Sequence, residues 1–152
     1  MARTEISNLE DHLGFWVRAV SNQVSHAFRR KVEGRGVTVA EWVMLRVLYE
    51  DLTLAPSALA DRMGMTRGAI SKLADRLVAK ALVTRRTGKG DRRTQELAIT
   101  ETGRALVPQL AKLADRNDAE FFAHLSPDDR TAMMRIMREI VTRLGLHGPP
   151  VD

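Results

Sequence analysis

Apolar residues along this chain recur mostly at spacings of three and four, the period of a helix lying on a core. Leu9, Leu13, Trp16, Val20, Val24, Ala27 and Phe28 predict an amphipathic helix over about residues 8–33, ended by Gly34 and Gly36. Thr38-Val39-Ala40-Glu41 has the spacing of a capping box, so a second helix starts there and turns Trp42, Leu45 and Leu48 inward. A short third helix is expected from Pro56, a residue suited to a first helical turn. Small Ala60 suits a helix crossing, and Gly64 can take the left-handed conformation that ends this helix. Thr66 then caps a fourth helix running to about Lys80, pinned by Ile70, Leu73, Leu77 and Val78.

Leu82–Arg86 and Gln95–Ile99 alternate weakly on either side of Gly88-Lys89-Gly90-Asp91, which predicts a two-stranded hairpin. Thr100 caps a fifth helix to about Leu125, with a kink expected at Pro108, which has no N–H to donate. Ser126-Pro127-Asp128-Asp129 supplies a cap, a first-turn proline and two acids at the positive end of a sixth helix. Met133, Ile136, Met137, Ile140, Val141 and Leu144 form its apolar stripe, and the tail from Gly145 is irregular.

The pattern defines a mainly α fold with a small β-hairpin wing, a single domain over residues 1–152. Residues 38–100 read as a winged helix-turn-helix lobe. The first, fifth and sixth helices outgrow the core of such a lobe. Wide apolar stripes without a local partner are usually buried in another subunit, so residues 8–33 and 101–145 are expected to form dimerisation helices. A monomeric helical bundle is the alternative.

Charge sharpens this picture. From Arg62 to Arg93, ten Lys and Arg residues face two acids, Asp75 and Asp91, giving a local charge of +8 in a chain that carries +5 overall. A polyanion such as double-stranded DNA is bound by releasing counterions from its phosphates, and a concentrated basic surface is the footprint of that process. A membrane surface would also attract it, but the helix-turn-helix spacing favours DNA. No run of about 18 apolar residues is present, so no membrane-spanning helix is expected. The N-terminal residues lack a signal-peptide pattern, which makes the cytoplasm the default location. The chain has no cysteine, which excludes disulfides, cysteine zinc sites and a thiol redox switch. The four histidines, 12, 26, 124 and 147, show no metal-ligand spacing, and no phosphate loop or nucleophile motif appears. No cofactor, no metal and no enzymatic activity are expected.

Gly64-Met65-Thr66-Arg67, the run Ser71 to Leu77, Gly90-Asp91-Arg92-Arg93 and Leu97-Ala98-Ile99-Thr100-Glu101-Thr102-Gly103 together resemble the MarR family of multiple antibiotic resistance regulators. The resemblance covers essentially the whole chain. At one place the sequence departs from the commonest pattern: Ala81 stands where many members have glycine. The resemblance implies a dimeric winged helix-turn-helix regulator with its recognition helix in the major groove and its wing tip in the adjacent minor groove. Many members are repressors released by small aromatic or phenolic ligands.

Thr66, Arg67, Gly68, Ser71 and Lys72 open the fourth helix on the side away from Ile70 and Leu73, where recognition helices reach bases and phosphates. Arg67 can grip a guanine bidentately, and Gly68 lets the backbone approach closely. Arg76 and Lys89 extend the DNA-binding set. Arg92 and Arg93, beside the glycine turn, suit a narrow minor groove. Asp91 orients an arginine there by a charge-assisted hydrogen bond. The resemblance points to Arg93 as the principal arginine and to Asp75 as a second group bracing the wing; an ordinary pairing of Asp75 with Arg76 or Lys72 is the alternative. His12, Trp16 and Arg46 are candidates for an effector site, against a core tryptophan, a surface histidine and a buried salt-bridge arginine. The expectation is a sequence-specific regulator on a pseudo-palindromic operator, a repressor released by a small effector. A sensor without operator binding and an architectural dimer indifferent to sequence are the alternatives.

Overall fold

The computed structural model describes residues 5–87 and 95–145. Within them the order is a single 3-10 turn (Leu9–Asp11), α1 (Leu13–Glu33), α2 (Val39–Asp51), β1 (Thr53–Leu54), α3 (Pro56–Met63), α4 (Arg67–Ala79), β2 (Val83–Thr87), β3 (Gln95–Ile99), α5 (Glu101–Phe122) and α6 (Pro127–Arg143). The sheet is antiparallel, in the order β1-β3-β2, with Thr53 opposite Ala98 and Val83 opposite Ile99. β1 adds a third strand to the expected hairpin.

Local capping starts four of the helices. The Thr38, Thr66, Thr100 and Ser126 hydroxyls accept from the backbone N–H three residues on, at Glu41, Ala69, Gly103 and Asp129. α3 has no such cap; Ala55 precedes it and Pro56 opens it. Gly64 ends α3 with φ 64°, as expected. At the end of α1 only Gly36 is left-handed (φ 80°), whereas Gly34 is still right-handed helical.

The first helix does not run from residue 8. Asn8 N–H donates to Asp11 Oδ2 at 2.9 Å and closes one 3-10 turn, and His12 is extended (φ −99°, ψ 127°). α1 therefore begins at Leu13. Val78, expected inward, is exposed: it lies about 100° from Leu77 around the helix and falls past the edge of the core face. α5 ends at Phe122, three residues short of the expected Leu125, and continues through Pro108.

One core lies between the helices and the sheet. Val32, Met44, Leu45, Leu48, Leu59, Ile70, Leu73, Leu77, Leu97 and Leu110 are fully or almost fully buried in it. The outer parts of the chain contrast with this. Leu13, Trp16, Val17 and Val20 on α1 are exposed, and so are Met133, Ile136, Met137, Ile140 and Val141 on α6. No residue of α6 is buried, and α6 has no extensive contact with another element. Most helical stability in proteins comes from packing an amphipathic face, and the apolar face of the 17-residue α6 has no such packing among the described residues.

Candidate nucleic-acid interface

Core packing decides which way α4 faces. Ile70, Leu73, Ala74 and Leu77 are buried, so Arg67, Gly68, Ser71, Lys72, Asp75 and Arg76 occupy the opposite, exposed side. Among the described residues, Arg67, Lys72 and Arg76 enter no ion pair, so their charge is available to an external anion. Thr66 is exposed beside them; its oxygen accepts from Ala69 N–H at 3.1 Å, which leaves the hydroxyl proton to donate outward. A Cβ added at Gly68 would meet nothing within 4 Å, so the fold itself does not require glycine there.

Two polar contacts fix the attitude of this helix. At its C-terminal end Lys80 Nζ lies 2.7 Å from Glu41 Oε2 and 3.0 Å from Oε1, and donates to Gly36 O at 2.9 Å. Glu41 is 1% exposed and also accepts from Thr38 N–H at 3.4 Å. One buried carboxylate thus caps α2 and anchors α4. On the exposed side Asp75 Oδ1 accepts from Arg85 Nη2 of β2 at 2.6 Å. Asp75 thus pairs with Arg85 of β2, which the sequence reading did not single out; among the described residues Arg76 and Lys72 are not its partners.

The junction behind α4 is also tight. Leu82 N–H reaches Leu77 O at 3.0 Å and Ala81 N–H reaches Val78 O at 2.9 Å, with Ala81 left-handed at φ 59°. The Thr100 hydroxyl donates to Ala81 O at 2.7 Å, and Thr100 N–H donates to Leu82 O at 3.1 Å. α5 is thereby bonded directly to the end of the recognition helix.

Of the expected site residues, Thr66, Arg67, Gly68, Ser71, Lys72, Asp75 and Arg76 share one face. Lys89, Asp91, Arg92 and Arg93 lie outside the described residues. The effector candidates His12, Trp16 and Arg46 are not brought together. Trp16 Nε1 donates to Glu10 O at 2.9 Å, and His12 Nδ1 lies 3.0 Å from Asn8 O, both at the open end of α1. Arg46 sits on α2, exposed rather than buried, 2.7 Å from Glu50 Oε1 and over the Tyr49 ring. A hollow that sequence reasoning missed lies instead between α1, α2 and α5, lined by Val24, Ser25, Phe28, Trp42, Ala114, Asn117, Asp118 and Phe122. Its walls come from three separate helices, which no local motif links.

This architecture, three helices followed by a strand pair within a longer helical frame, is a winged helix-turn-helix fold. Residues 35–94 match the model of the MarR family. A putative transcriptional regulatory protein for the hcr operon of Thauera aromatica is 29% identical over 134 residues, 88% of this chain and 81% of that protein. Two solved structures share the fold. The mutant MarR of E. coli complexed with operator DNA superposes with a TM-score of 0.77 at 21% identity, covering 85% of this chain and 93% of that one. BpsR of Bordetella bronchiseptica, whose DNA binding is regulated by 6-hydroxynicotinic acid, gives 0.79 at 20% identity, covering 90% and 97%. The lobe over residues 35–94 is similar to the MarR family, and the relatives of the chain are named as transcriptional regulators or repressors.

Proposed function

We propose that the chain is a sequence-specific DNA-binding transcriptional regulator, a repressor acting as a homodimer in the cytoplasm, with no catalytic activity of its own. The observation that carries this reading is the outer face of α4: Arg67, Lys72 and Arg76 exposed and without ion-pair partners among the described residues, beside Thr66 and Ser71. Phosphate oxygens accept from such groups, and an arginine at the start of a recognition helix reads guanine. The +8 segment supplies the electrostatic attraction. Lys89, Arg92 and Arg93 are assigned to the wing's DNA contacts, with Asp91 orienting an arginine; residues 38–100 are the DNA-binding lobe.

The uncovered stripes of α1 and α6 support the dimer, with residues 8–33 and 101–145 supplying its interface. A two-fold dimer reads a pseudo-palindrome with half-site centres about 10 base pairs apart. The hollow between α1, α2 and α5 is a better effector site than His12, Trp16 and Arg46, because it is walled by three aromatic rings. Fluorescence anisotropy on a duplex selected from a random library, against a random duplex of equal length, tests the reading. A strong preference for the selected duplex supports it. Equal affinity points to an architectural protein, and no affinity to a sensor without operator binding.

A further inference from the structure

Two helices present apolar faces that their own fold leaves open. The C-terminal half of α1 is used within the chain: Val32 is buried and Phe28 packs against the core. Its N-terminal half is not, and Leu13, Trp16, Val17 and Val20 stay exposed. On α6 the stripe from Met133 to Leu144 is exposed along its whole length, and α6 has no extensive contact with its own α1. The stripes over residues 9–20 and 133–144 have like lengths, on the order of 16 Å at a helical rise of about 1.5 Å per residue.

The ends of the two stripes carry unlike charge. Glu5, Glu10 and Asp11 are exposed before α1, and no Lys or Arg stands between residues 5 and 16. The turn that carries them is held in place: Asn8 N–H donates to Asp11 Oδ2 at 2.9 Å, and Trp16 Nε1 donates to Glu10 O at 2.9 Å. On α6 the acids come first, Asp128 and Asp129 in its opening turn. Arg138 and Arg143 follow toward its end, one on either side of the stripe, exposed and without an ion pair among the described residues.

Apolar contact holds such faces together but gives no direction. The charged ends do. With α1 of a second copy lying antiparallel on α6, its acids meet Arg138 and Arg143. Lying parallel, they meet Asp128 and Asp129, and like charges across an interface are penalised. We propose that α1 of one copy lies antiparallel on α6 of a second copy, with Glu5, Glu10 and Asp11 clasped by Arg138 and Arg143. Two-fold symmetry repeats the contact. The proposal rests on the reading of the chain as a homodimer and adds the direction, the register and the charges that set them.

The chain has no cysteine, so engineered thiols report one contact at a time. Treated with a short bismaleimide, the full chain carrying Ser7→Cys and Leu144→Cys should give a linked dimer. Ser7→Cys with Asp129→Cys should not, and each single variant serves as the control. Sedimentation at low ionic strength reads the charges. Glu5→Arg with Glu10→Arg should weaken the dimer about tenfold, and Arg138→Glu with Arg143→Glu should do the same. The fourfold variant should return to within about threefold of wild type, a recovery that a merely unfolded arm or helix would not show. Linkage through position 129 in place of 144 overturns the proposal and leaves the dimer standing, as does a fourfold variant no better than either pair. A linked species of monomer mass means that α6 is covered by its own α1, which also overturns it. A wild-type chain that sediments as a monomer at micromolar concentration overturns the homodimer reading itself, and the clasp with it.

Discussion

Lys80 at the end of the recognition helix donates to both oxygens of Glu41, a carboxylate buried at the start of α2, at 2.7 and 3.0 Å. The two residues differ in what each loses if the other is removed. Lys80 is 38% exposed and can turn to water, whereas Glu41 is sealed in. Lys80→Met should therefore destabilise the fold by roughly 3 kcal/mol, since it strands a buried charge. Glu41→Gln should be milder, and the double variant should recover part of the loss. Urea unfolding of the four proteins gives the cycle; equal losses in both single variants would contradict the asymmetry.

Ala81 occupies a left-handed position at φ 59°, where a Cβ is strained by about 1–2 kcal/mol. Glycine removes the strain but loses more entropy on folding. The balance predicts that Ala81→Gly stabilises the protein by about 0.5 kcal/mol, read as a higher urea midpoint with an unchanged slope. A lower midpoint would contradict it.

Gly103 packs where no side chain fits. A Cβ there would stand inside van der Waals contact with the Leu82 carbonyl oxygen and 2.8 Å from Ile99 Cγ1. Backbone cannot yield as a side-chain tip can, so Gly103→Ala should cost about 2 kcal/mol. It should also weaken DNA binding, because Thr100 and Gly103 tie α5 to the end of α4. Retention of wild-type stability would mean that the α5 junction is looser than it stands here.

Gly68 gives two effects of opposite sign. Alanine at this helical site meets open space, so thermal stability should rise by about 0.5–1 kcal/mol. The new methyl points toward the proposed DNA surface, and affinity should fall by about tenfold. Anisotropy and thermal melting on one preparation check both; unchanged DNA affinity would place Gly68 away from the duplex.

Short-range rules carried much of this fold in the sequence. Thr38, Thr66, Thr100 and Ser126 announce their helices because each cap lies three residues from its donor. The face of α4 followed from the spacing of Ile70, Leu73 and Leu77. What stayed hidden depends on distance along the chain. Lys80 and Glu41 are 39 residues apart, and β1 is two residues long and exists by pairing with β3. For Asp75 the near neighbours Arg76 and Lys72 were the obvious partners in the sequence, and the pairing with Arg85, ten residues on in β2, is set by how the strand returns past α4. The break at His12 escaped because Leu9 and Leu13 keep helical spacing across it. The aromatic hollow unites Phe28, Trp42 and Phe122 from three helices, a grouping that only tertiary packing creates.

The central claim is that the outer face of α4 reads bases, and Arg67 is its sharpest probe. Anisotropy titrations of wild type and Arg67→Ala on a selected duplex and on a random one give the decisive comparison. The account predicts a loss of about 1–3 kcal/mol on the selected duplex, with little change on the random one. An equal loss on both would make Arg67 a phosphate clamp and would contradict base reading by this residue.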